Sequence, residues 1–132
     1  MDYVALKAVI DSDAGNAAKS DEDVVTWCNT PSVVRDRATI PSTEIFTECL
    51  RESAEWTAMT ADDRQEVRDI LTVWDNIPTE AGSPARTRLI ALLGTNTKAA
   101  LAGIIPETVS PAENAGLGTV IIGDVQNARS IV

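Results

Sequence analysis

The chain has 132 residues, 44% apolar and only 4% aromatic, which fits a single domain, residues 1–132, with one modest core. Twenty acidic side chains against 11 basic ones leave a net charge of −9, which opposes binding to phosphate backbones. Histidine is absent, so the most versatile acid–base group near neutral pH and the commonest zinc ligand are both missing.

Asp2 is placed to cap a first helix, "YVALKAVI", which "DSDAGN" (11–16) then breaks. Ser20 caps "DEDVVTWCN", whose Asp21, Glu22 and Asp23 suit the positive end of a helix dipole. Asn29-Thr30-Pro31 stops that helix. Residues 32–41, "SVVRDRATIP", read as an extended connector or a small two-stranded ribbon, the one β candidate in the chain.

Ser42 is expected to cap "TEIFTECLRESAEWTAM", with a break near Ser53. Thr60-Ala61-Asp62-Asp63 opens a helix over about 61–75, where Val67, Ile70, Leu71 and Trp74 recur at i, i+3, i+4 and i+7 as a buried stripe. Ser83-Pro84 starts a helix that runs to Gly94, expected to end it in the left-handed conformation. Asn96 or Thr97 caps "KAALAGII", and Ser110-Pro111 starts one further turn. Gly116 stops that turn, and Gly123-Asp124 starts the last helix. The expected class is therefore all-α, a compact bundle of seven or eight short helices.

Residues 1–83 hold 17 acidic and 7 basic side chains, whereas 84–132 hold 3 and 4. Such a split suits a subunit that shows different faces to different neighbours, or simply an unequal share of solvated surface. Cys28 and Cys49 each lie among apolar neighbours in helical patterns and read as buried thiols. Trp27, Trp56 and Trp74 read as core anchors.

Little of this chain carries catalytic chemistry. "GLGTVIIG" (116–123) lacks the preceding strand of a phosphate-binding loop. Asp11 and Asp13 begin like a calcium loop, but Lys19 would fall inside the oxygen cage. No catalytic residue, metal or cofactor is expected, and the chain reads as no enzyme. Glu44, Glu48, Glu52 and Glu55 form a strip at helical spacing that could receive basic groups or face water. "AENAGLGTVIIGDVQNAR" has the outline of a helix-turn-helix, but only Gln126, Asn127 and Arg129 could address bases or phosphates, behind Asp124. Its structural reading is a helical corner packed by Leu117, Val120, Ile122 and Val125. The tail ends in apolar Ile131 and Val132, so residues 117–132 could dock on a neighbour. Deleting 127–132 is then expected to weaken partner binding without unfolding the domain. The opening "MDYVALKAVI" lacks a basic stretch before an apolar run, and no segment approaches 18 apolar residues. Neither a signal peptide nor a membrane partner is expected.

Three stretches carry a resemblance. They are Tyr3, Leu6 and Lys7 in "YVALK", Arg37-Ala38-Thr39, and Gly116-Leu117-Gly118 followed by Val125 and Ala128-Arg129. In these the chain resembles a group of small helical proteins encoded among the virion and tail genes of tailed bacteriophages. The resemblance implies a non-enzymatic virion subunit made in the bacterial host cytoplasm. Such a subunit is tail-associated, homo-oligomeric in the particle and bound to tail, fibre or connector proteins. Candidate contacts are Arg35, Arg37, Glu44, Glu48, Glu52, Glu55, Arg129, Ile131 and Val132. A head–tail connector ring subunit is the neighbouring alternative. A small helix-turn-helix DNA-binding regulator and an acidic DNA mimic are the alternatives of other classes.

Overall fold

Asp2 does cap the first helix: its carboxylate accepts the Ala5 N–H at 3.0 Å in a computed structural model that describes residues 1–132. Helix α1 (Tyr3–Asp11) leads into a 3₁₀ turn (Ala14–Ala18) capped by Asp13, and α2 (Asp21–Asn29) starts on the Ser20 hydroxyl. After β1 (Val33–Asp36) and β2 (Thr39–Pro41) come α3 (Ser42–Arg51), α4 (Ser53–Ala58) and α5 (Ala61–Val73). Then follow β3 (Asn76–Pro78), α6 (Pro84–Leu92), α7 (Thr95–Ile104), β4 (Pro106–Val109), α8 (Pro111–Asn114) and α9 (Ile122–Arg129). Ser83 and Ser110 cap α6 and α8 with proline in the first turn of each, as their Ser-Pro pairs predict.

The molecule is thus mostly helical, 63% in nine α-helices and the 3₁₀ turn, but not purely so: it has two short antiparallel strand pairs. Residues 32–41 do not fold back on themselves. β1 pairs with β4 and β2 with β3, the latter in the register Thr39↔Pro78, Ile40↔Ile77 and Pro41↔Asn76. β3 and β4 were hidden because a three- or four-residue strand containing proline shows too little alternation to be told from a helix stop.

The chain divides into two compact units, one of residues 1–35 and 108–132, the other of residues 36–107. Each has its own core. In the first, Leu6, Ile10, Val24, Cys28, Ala112, Val120, Val125 and Ala128 pack together, with Trp27 and Leu117 half-buried against them. In the second, Ile40, Ile45, Cys49, Val67, Ile77, Ala85, Leu89 and Leu93 do so, with Trp56 at the edge. The two cysteines therefore belong to different cores, both as free thiols. The unequal charge of the two stretches of sequence evens out in space. The first unit carries −4 and the second −5, because the acidic N-terminal segment shares its unit with the chain's last 25 residues.

Several local expectations are corrected. α5 ends at Val73, so Trp74 leaves the helical period; it is 41% exposed rather than part of a buried stripe. Ile122 is likewise exposed, although Val120 and Val125 are buried as expected of a packed corner. Ser42 is not a cap. It is the first residue of α3, its hydroxyl donates to the Trp74 carbonyl and its N–H donates to the Asp75 carbonyl at 2.9 Å. Gly94 has φ −74°, outside the left-handed region, and it precedes α7 rather than closing α6. A Cβ there would lie 2.5 Å from the Glu55 Cδ, so a larger residue would push that carboxylate aside. Gly116 and Gly118, by contrast, are left-handed, at φ 74° and 70°. The first ends α8 in a Schellman turn: the Gly116 and Leu117 N–H groups donate to the Glu113 and Ala112 carbonyls, both at 2.9 Å.

Burial governs both thiols. It pushes Cys49 up to about 11, and it raises Cys28 as well, with nearby Lys19 offsetting part of that. At pH near 8 Cys49 is then only roughly one part in a thousand thiolate. Neither cysteine is expected to react with Ellman's reagent in the folded protein over minutes, while denaturant releases two thiols per chain. Rapid labelling of the folded protein would contradict this packing.

Candidate functional site

Most charged side chains proposed as partner contacts are engaged by the chain itself. The break at Glu52, with φ −88° and ψ 57°, separates α3 from α4, so the four glutamates do not share one continuous helical strip. Glu44 accepts from Arg37 at 2.7 Å, and Glu48, nearly buried, accepts from Arg51 at 2.7 Å. Arg35 reaches the Glu113 carbonyl at 3.5 Å.

Glu55 has a specific task. Its carboxylate accepts the N–H of Asn96 at 3.0 Å and of Thr97 at 2.7 Å, and the Thr97 hydroxyl at 2.9 Å. It thereby caps α7 from another helix, satisfying N–H groups that α7 itself leaves free. The negative charge also suits the dipole there. This explains why neither Asn96 nor Thr97 is the cap.

The Asn96 and Thr97 N–H bonds hold Glu55 below its ordinary carboxylate range, and a two-point hydrogen bond from Arg88, at 2.5 and 2.8 Å, does the same for Glu66. A depressed native pKa stabilises the fold above the carboxylate range, and that contribution disappears as pH falls through it. Thermal unfolding is therefore expected at progressively lower temperature from about pH 6 to about pH 3. Glu55→Gln should show a smaller fall than the wild-type chain. An identical pH dependence in the two would remove Glu55 from this account.

Arg129 forms a second clasp, within the first unit. It donates to Asp21 at 2.6 Å and to the carbonyls of Asn16 and Lys19 at 2.7 and 2.9 Å. Asn16 is itself buried: its amide donates to the Ile10 carbonyl and accepts from Lys19. Asn29 makes a two-point contact with Val120, donating to its carbonyl at 2.8 Å and accepting its N–H at 2.9 Å. Segment 117–132 is thus built into the first unit through Val120, Val125, Ala128 and Arg129. Deleting 127–132 would remove buried Ala128 and the Arg129 clasp, so the domain is not expected to survive it intact. The large apolar side chains that the segment leaves to solvent are Ile121, Ile122 and Val132, with Ile131 half-buried. Ile122, expected in the core, lies outside it, and Ile121 is exposed beside buried Val120.

Of the helix-turn-helix outline, α8 is a single four-residue turn and Arg129 is already spent, leaving exposed Gln126 and Asn127. Four further cations follow the same internal pattern. Lys7 pairs with Asp11, Lys19 also lies over the Trp27 ring, and Arg68 lies over the Trp56 ring. Arg64 donates to the carbonyls of Thr57 and Met59.

The second unit contains a half-open cavity of about 170 Å³ that sequence reasoning missed. One wall is α6, through Arg86, Leu89 and Ile90, with Leu93 just beyond it; the other is α7, through Lys98, Leu101 and Ala102, with Ile105 just beyond it. Both sets follow i, i+3, i+4, i+7, and each opens with a cation. The signal was present as R-x-x-L-I-x-x-L and K-x-x-L-A-x-x-I, offset by 12 residues. The paired residues Ile40 and Ile77 of β2 and β3, with Ile45 of α3, complete the lining.

No family model, curated protein or solved structure matches the chain. Its class is accordingly that of its own architecture: a mostly helical protein of two units, with no helix long and apolar enough to cross a membrane.

Proposed function

We propose that this chain is a non-enzymatic structural subunit of a tailed-phage virion, a helical piece of the tail that binds neighbouring virion proteins by shape and charge. The observation that carries this reading is the exposed apolar pair Ile121 and Ile122, 61% and 43% exposed. It is held outward on both sides: Asn29 grips Val120, and the Asp124 carboxylate accepts the Ile121 N–H at 3.0 Å. Apolar groups presented by a fixed backbone are what an interface requires, because little ordering cost remains to be met on binding. The residues of the phage resemblance support the same segment. Gly116 and Gly118 supply its two left-handed turns, Ala128 is fully buried and Arg129 is the clasp.

Mass spectrometry of purified particles tests the reading, with peptides of this chain expected in mature virions. Their absence would end it. Ile121→Ser with Ile122→Ser should leave the circular dichroism spectrum unchanged and reduce incorporation into particles. The neighbouring reading is a connector ring subunit that docks through Ile131 and Val132. Removing Ile131 and Val132 should preserve the fold and weaken incorporation; unchanged incorporation would exclude a docking tail. Salt-dependent retention on DNA would instead support a regulator.

A further inference from the structure

We propose that the cavity between α6 and α7 is a binding site for a small apolar monocarboxylate, its hydrocarbon part inside and its carboxylate on Arg86 and Lys98. Two independent observations meet there. The first is the lining. Apart from Thr79 and the two cations, the surface offered is Leu, Ile, Ala and Pro, which gains by covering an apolar group. The volume, about 170 Å³, suits a six-carbon ring: an apolar protein cavity of ~150 Å³ takes up benzene.

The second is where the free positive charge lies. Every lysine and arginine of the chain is engaged by its own carboxylates, carbonyls, amides or rings, except Arg86 and Lys98. Both of these line this one cavity. Lys98 is near enough to Glu55 to help keep that carboxylate ionised, yet forms no ion pair with it. Glu55 is already occupied by the Asn96 and Thr97 N–H groups. In a protein of net charge −9, two cations without a side-chain hydrogen bond or ion pair, both lining one apolar hollow, select a ligand that is both apolar and anionic. A neutral hydrocarbon would fill the hollow and leave the cations unanswered. A phosphate or a dicarboxylate would meet an apolar lining that cannot solvate its second charge.

The test uses the full chain, ¹⁵N-labelled, titrated with cyclohexanecarboxylate and with neutral cyclohexanecarboxamide. The acid is expected to shift the amides of α6 and α7 and to bind about tenfold more tightly than the amide. Added salt should weaken only the acid. Arg86→Gln with Lys98→Gln, both on half-exposed side chains, should lower acid affinity to that of the amide and leave the amide unchanged. Ala102→Phe, at an exposed helical position on the cavity wall, should abolish binding of both. Equal affinity for acid and amide overturns the proposal. So does unchanged acid binding in Ala102→Phe, or an absence of shifts at about 10 mM ligand, the millimolar range in which even a weak site responds.

Discussion

Leu6→Ala is expected to destabilise the first unit by about 2–5 kcal/mol, the largest effect of any single truncation proposed for it. Leu6 is fully buried and sits among Val24, Cys28, Val125 and Ala128. The cluster draws on α1, α2, α8 and α9, so no single element can close the void that alanine leaves. The unit has only 60 residues, and a core that small has little stability to lose. Denaturant unfolding followed by fluorescence, in a Trp56→Phe and Trp74→Phe background that leaves Trp27 as the emitter, reads the effect, since Trp27 packs against the same core. Val4→Ala on the same helix is the control: Val4 is 70% exposed, and its loss should cost less than about 0.5 kcal/mol. Similar costs for the two variants would mean that α1 does not pack as described.

Asn29→Ala is expected to cost about 1–3 kcal/mol, although it removes no apolar contact of the core. The Asn29 amide satisfies both backbone groups of Val120, a residue only 1% exposed. Alanine leaves a donor and an acceptor without partners at a buried position, which costs more than the net worth of two ordinary hydrogen bonds. Asn29→Asp separates the two halves of the contact. A carboxylate can accept the Val120 N–H but has nothing to donate to the Val120 carbonyl. It should therefore destabilise the protein at neutral pH as well. Hydrogen exchange at the Val120 amide gives a local reading, with faster exchange expected in both variants. Wild-type protection in Asn29→Ala would show that the contact is not what holds this strand of chain.

How much was legible depended on the range of the interaction. Asp2, Ser20, Thr60, Ser83 and Ser110 each cap the helix that follows, and each was readable because a cap and its N–H lie three residues apart. The break near Ser53 and the buried cysteines follow from equally local patterns. The failures lie where a side chain answers a distant backbone. Ser42 resembles a cap and instead holds Trp74; Glu55 resembles surface charge and instead caps α7. Gly94 resembles a helix stop, but its missing Cβ makes room for that same carboxylate. Arg129 looked like a free contact and is a clasp reaching Asp21, 108 residues away in sequence. The cavity was visible only as two stripes of identical spacing, with nothing in either to say that they face each other.

The amino-acid sequence by itself determined most of the helices, the starts at Asp2, Ser20, Thr60, Ser83 and Ser110, and the absence of any long apolar span, because these depend on period and on neighbours within one turn. Tertiary structure alone decided that the chain forms two cores, that its acidity is shared between them, and that β2 pairs with β3 rather than β1. It also decided which charges stay free. Nine cations find partners in the folded chain and two do not, and that outcome depends on distances across space that no local pattern encodes.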